Sequence, residues 1–174
     1  VVALGQWFVL FHIISAFALI AGLVGRELAR AYARRQENIE SFAALIGLSR
    51  WFELWLANHG SHAVLIFGLL AAWTRGWPIL GILQGSPVNW VLASLLLYLS
   101  FIPLVFLVFI PRGKKFRQAL AEARSGGIVT PALVAQLDDP VVRAAHLYEA
   151  VGVVIIIYLM VTTLARKWYC RRLE

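Results

Sequence analysis

The sequence predicts an all-α polytopic membrane protein, a four-transmembrane-helix bundle with short cytoplasmic amphipathic helices. Two observations carry this expectation. Four apolar stretches, at about residues 4–24, 51–73, 88–110 and 141–165, are each long enough to cross a bilayer as helix. Lipid leaves helices or closed barrels as the only spanning structures, and a composition of 61% hydrophobic with 14% charged residues lies outside soluble norms. With 174 residues, little chain remains once four spans are drawn, so a single membrane domain over 1–174 is expected.

The charge pattern gives the third indication. The formal net charge is +7, but the basic residues avoid the spans. They collect between spans one and two (Arg26, Arg30, Arg34, Arg35, Arg50) and between spans three and four (Arg112, Lys114, Lys115, Arg117, Arg124, Arg143), whereas the loop between spans two and three has only Arg75. This is the positive-inside asymmetry. It predicts the cell inner (cytoplasmic) membrane, an outside N-terminus and cytoplasmic basic loops in reach of anionic membrane lipids. Four basic residues near the C-terminus, Arg166, Lys167, Arg171 and Arg172, run against that orientation. Basic residues in this arrangement are topology signals, and no nucleic-acid partner is expected. Trp51, Trp73, Trp77, Trp90 and Trp168 fall near span ends, where an amphipathic ring suits headgroup depth.

Taken in order, span one lacks the basic n-region and small-residue cleavage site of a signal peptide. It is expected to continue as an amphipathic helix, because Glu27, Arg30, Arg34 and Glu37 recur at helical spacing. Residues 41–49 are apolar but too short to span and read as an interfacial connector. Gly76-Trp77-Pro78 predicts the end of helix two, and residues 79–87 a turn-rich loop. Span three contains Pro103, which predicts a kink, and Pro111 with Gly113 is expected to close it. A basic amphipathic helix follows over 114–124. Thr130-Pro131 and Asp138-Asp139-Pro140 read as two helix starts, with a capping side chain before a first-turn proline.

All four histidines lie in or beside three of the spans: His12 in the first, His59 and His62 in the second, His146 in the fourth. Ionisable groups inside a membrane are costly and mark candidate functional sites. Helical rise places His12 about 21 Å from Arg26, and His62 about 18 Å and His59 about 13 Å from Arg50. His12 and His62 are thus expected at one level, with His59 and His146 as a looser second pair. Paired imidazoles on facing helices hold b-type haem in bundles of this kind. Gly22, Gly25, Gly60 and Gly68 supply small surfaces for a porphyrin or, more simply, for another helix. A non-haem metal site of His59, His62, His146 and Glu149 is the alternative; Glu149 paired with Arg143 or His146, or serving a proton path, is the plainer reading. Cys170 is the single cysteine, which excludes an intrachain disulfide and a cysteine metal cluster. No phosphate loop, zinc-protease helix or nucleophile elbow occurs, so an enzyme is less expected than a non-catalytic subunit.

Phe11-His12 with Gly22 and Gly25, Gly68 with Gly76-Trp77-Pro78, Pro111 with its basic follow-on, Asp139-Pro140, Tyr148-Glu149 and Leu159-Met160-Val161 together carry a resemblance. The chain resembles an uncharacterised bacterial family of four-span membrane proteins, similar in turn to copper-resistance protein D and to b-type cytochrome membrane bundles. That family usually ends soon after the Leu-Met-Val stretch, and here a basic tail continues. The resemblance implies a four-helix bundle and no particular reaction. The resulting expectation is a subunit of an electron-transfer complex, binding haem b and relaying electrons to or from quinone. The rival expectations are a cofactor-free accessory subunit beside other membrane-protein subunits, and a metal or small-solute transporter.

Overall fold

The computed structural model describes residues 2–87 and 89–170, with side chains from 4 to 162. The expected start of span three at Val88 lies outside the described residues, as do Arg171, Arg172 and the side chains of Arg166, Lys167, Trp168 and Cys170. The described residues are helical with no strand. In chain order they form α1 (Val2–Ala33), α2 (Ile39–Trp51), a π segment (Phe52–Asn58), α3 (His59–Thr74), a 3-10 turn (Gly81–Gln84), α4 (Trp90–Leu99), α5 (Phe101–Leu104), a second π segment (Val105–Phe109), α6 (Ile110–Gly126), α7 (Pro131–Leu137) and α8 (Pro140–Cys170). Four helical runs are long and apolar enough to span: Leu4–Ala33, Ile39–Thr74, Trp90–Gly126 and Pro131–Thr162.

Two expectations about helix ends are corrected. Residues 41–49 are not a separate connector. Asn38 caps α2, its side chain accepting from the Glu40 and Ser41 amides, and the helix then runs unbroken into the second span. Pro111 and Gly113 do not close the third span, because α6 carries Pro111 in its first turn and continues to Gly126. A proline ring collides with the carbonyl four residues earlier. For Pro111 that carbonyl belongs to Leu107, inside the second π segment, whose wider turn makes room. For Pro103 it belongs to Leu99, where α4 ends and the helix restarts after Ser100. Gly76, at φ +65°, follows the end of α3. Thr130 caps α7 by accepting from the Leu133 amide at 3.2 Å. Asp139 caps α8, accepting from the Val141 and Val142 amides.

The bundle is two hairpins. α1 packs along α2, the first π segment and α3; the third span packs on α8, and the two hairpins meet sparsely over most of their length. They converge at the basic end, where Ala33, Ile39, Phe42, Ala123, Leu133 and Leu137 bury one another. Phe42, Leu133 and Leu137 are the largest fully buried side chains described. Because α7 reaches this core through its capped first turn, Thr130→Ala is expected to lower stability by about 1 kcal/mol. Chemical unfolding in detergent measures it, and an unchanged midpoint would show the cap to be idle.

Candidate functional site

Close packing of the first hairpin fixes the histidines. A Cβ on Gly22 would lie 2.9 Å from the Ala57 Cα, one on Gly60 2.8 Å from the Leu19 amide nitrogen, and one on Gly25 2.6 Å from the Phe52 ring. These glycines serve helix-to-helix contact and leave no slot for a porphyrin between α1 and the second span. His12 follows from the same approach. Its ring lies over Gly68, and its Nδ1 sits 2.9 Å from the Val64 carbonyl oxygen, to which it donates in the corresponding tautomer. His12 is therefore level with residues 64–68, about 3–9 Å beyond His62 along the second span.

The first π segment places the other two. His62 Nδ1 lies 2.7 Å from the Asn58 carbonyl oxygen and His59 Nδ1 2.5 Å from that of Leu54. Each imidazole thus satisfies a carbonyl of the widened turn, a need that membrane interiors impose. The same bond turns Nε2 outward, the arrangement found where a histidine ligates a metal through its other nitrogen. The two rings diverge in surroundings. His62 lines the space between the hairpins, while His59 stacks on Trp55, with ring centroids 5.2 Å apart and planes 11° apart. His59 does not line that space, and the looser His59–His146 pair does not form.

The space is a cleft of about 1380 Å³, above the usual range for a small-molecule site. His12, His62, Ala16 and Phe17 line it from the first hairpin, and Tyr98, Phe101 and Met160 from the second. Few side chains cross it at this depth; the Tyr98 hydroxyl approaches Ser61 Oγ at 3.5 Å. The second hairpin is held by Phe101 against Gly152 and by Ser100 Oγ and Tyr148 hydroxyl at 2.7 Å.

Towards the basic end the cleft is bridged by a ladder of polar contacts from one face of α1. Arg34 Nε meets Asp138 at 2.6 Å, Arg30 donates to the Leu137 carbonyl at 3.1 Å, Glu27 meets His146 Nδ1 at 2.8 Å, and Arg26 meets Glu149 at 3.1 Å. Arg26 is only 3% exposed, so this arginine is a buried structural partner rather than the end of a span. His146 is buried too, its ring against Phe109. Glu149 thus pairs with neither Arg143 nor His146, the partners its own helix suggests. Among the described residues no three histidine, cysteine, aspartate or glutamate side chains group to hold a metal ion, so the alternative set of His59, His62, His146 and Glu149 is not assembled. The ladder had a sequence signal in the spacing of Arg26, Arg30 and Arg34, but its partners sit more than a hundred residues away.

A family described as "Predicted integral membrane protein (DUF2269)" matches residues 7–163. No curated protein and no solved structure matches the chain.

Proposed function

The chain belongs to the DUF2269 family of predicted integral membrane proteins, and we propose that within the membrane it is an electron-transfer subunit whose cleft holds b-type haem. One observation supports this reading above others. His12 and His62 line the same apolar cleft, and each has Nδ1 committed to a main-chain carbonyl. Imidazoles oriented in this way keep Nε2 for an iron. Two imidazoles on an apolar cleft wall support haem in the cleft, and the glycine contacts exclude it from the α1–α3 interface. Bound there, haem would supply one-electron transfer, with quinone as the membrane-soluble partner. The protein's part is to orient two imidazoles and keep water from them with the Phe17, Phe101 and Met160 walls. The basic-loop asymmetry supports an inner-membrane setting with the ladder end in the cytoplasm.

A second reading has its own observation. The His59 and His62 bonds satisfy carbonyls of a π segment, which accounts for both residues in a cofactor-free accessory subunit as well. A dithionite-reduced minus oxidised spectrum, with a pyridine haemochrome to count haem per chain, separates the two. Near-stoichiometric b haem is expected, lost in His62→Ala and His12→Ala and kept in Ser15→Ala. Haem absent from the intact native assembly would leave the accessory reading in place.

A further inference from the structure

The cleft changes character along its length. At the imidazole depth its walls are apolar, but at the ladder end they carry Arg30, Arg50, Arg112, Lys115 and Arg117. Three acidic side chains also line it, and two are already engaged: Asp139 with Arg112 and Glu149 with Arg26. That sets Glu53 alone against Arg30, Arg50, Lys115 and Arg117, and the last three have no carboxylate in ion-pair range among the described residues. Arg30 adds a buried Nε without a hydrogen-bond partner. That nitrogen is closed off from the cleft and the guanidinium is held by the Leu137 carbonyl, so Arg30 contributes charge, while Arg50, Lys115 and Arg117 are the donors that suit a phosphate oxygen. Beneath these cations runs an apolar wall through Leu23, Ile20 and Ile13. From Arg30 to Ile13 a helix covers about 25 Å, more than the roughly 15 Å of one leaflet's hydrocarbon.

We propose that the ladder end of the cleft is a site for one anionic diacyl phospholipid, its phosphate among Arg30, Arg50, Lys115 and Arg117 and its chains between the hairpins. Basic pockets between membrane helices recognise lipid headgroups in this way. The ladder and the Ala33–Leu137 core join the hairpins at the basic end, and the lipid fills the space that side chains leave between them. Its headgroup end is separate from the imidazoles, because Arg30 and His12 are eighteen positions apart on α1, about 27 Å, although the chains enter the same cleft.

The test is native mass spectrometry of the full chain in mild detergent, with phosphatidylglycerol and phosphatidylcholine supplied in equal amounts. One phosphatidylglycerol retained per chain is expected, with a preference that falls on the order of fivefold per cation removed in R50Q/K115Q/R117Q. Arg75→Gln, at the opposite end, should leave the preference intact. Equal retention of the two lipids, or a preference unmoved by the triple variant, overturns the proposal. Loss of the lipid to millimolar inorganic phosphate also overturns it, in favour of a free-anion site. Should the triple variant not fold by circular dichroism, thermal unfolding of the wild type decides. Unfolding at higher temperature in phosphatidylglycerol than in phosphatidylcholine nanodiscs supports the site, and identical melting overturns it.

Discussion

Gly60→Ala is expected to lower stability by about 1–3 kcal/mol, and Gly22→Ala by a similar amount, although alanine is the better helix former by about 1 kcal/mol. The sign follows from what the new methyl meets. At Gly60 it would lie 2.8 Å from the Leu19 amide nitrogen and 3.1 Å from the Leu19 Cα, and at Gly22 2.9 Å from the Ala57 Cα. Both obstacles are backbone, so no rotamer change relieves them and the two helices must separate. Separation is expensive here because small-residue contact is what holds membrane helices together once lipid removes the hydrophobic difference. Gly47→Ala makes the opposite case. Nothing lies within 4 Å of its added methyl, so the same substitution in α2 should be neutral or stabilising by up to about 1 kcal/mol. Titration from mild detergent into SDS, followed by tryptophan fluorescence, ranks the three. If Gly60→Ala and Gly47→Ala unfold together, the close approach of α1 to the second span is not the basis of hairpin stability.

The contrast between these glycines marks what was legible in the chain. Length and hydropathy reveal the spans, because the bilayer imposes both on any helix that crosses it. The capped starts at Thr130 and Asp139 were equally readable, since capping is local chemistry. Pro111 misled because its effect depends on the turn before it, and the π segment that accommodates it has no reliable local signature. Counting helical rise put His12 and His62 at one level, whereas the contacts with Val64 and Gly68 set His12 about 3–9 Å beyond His62. Which glycine touches which residue, and that two hairpins leave a cleft, depends on pairings between distant segments. Periodicity within one helix carries no such information. The same limit hid the partners of His146 and Glu149, whose spacing with Arg143 suggested a pairing within one helix, whereas the contacts lie across the bundle on Glu27 and Arg26.

Arg26→Met is expected to cost about 3 kcal/mol, because it strands a carboxylate that the fold has already removed from most of its water. Arg26 side chain is 4% exposed and Glu149 17%, and they meet at 3.1 Å. Glu149→Leu should cost less, about 2 kcal/mol, since Arg26 still has Glu27 with Nε to Oε1 at 3.3 Å. The informative variant is the double one. Replacing both members of a buried pair with apolar residues of similar size removes the desolvation cost together with the attraction, and often comes out near neutral. R26M/E149L should therefore recover most of what Arg26→Met loses and cost about 1 kcal/mol, giving a coupling of about 4 kcal/mol. Costs that simply add in the double variant would mean that Arg26 and Glu149 act separately, each through other neighbours. Strong coupling has a structural consequence beyond stability. The pair joins α1 to α8, so it sets the separation of the hairpins at the depth where Glu27 meets His146 and just below the Arg30 bridge to Leu137. Asp138 with Arg34 and the Ala33–Leu137 core continue that join to the basic end. Weakening one rung should widen the cleft from that end while leaving the glycine-packed first hairpin intact. Crosslinking between cysteines placed at Leu23 and Val153, both on the cleft wall, should then slow in Arg26→Met and recover in the double variant.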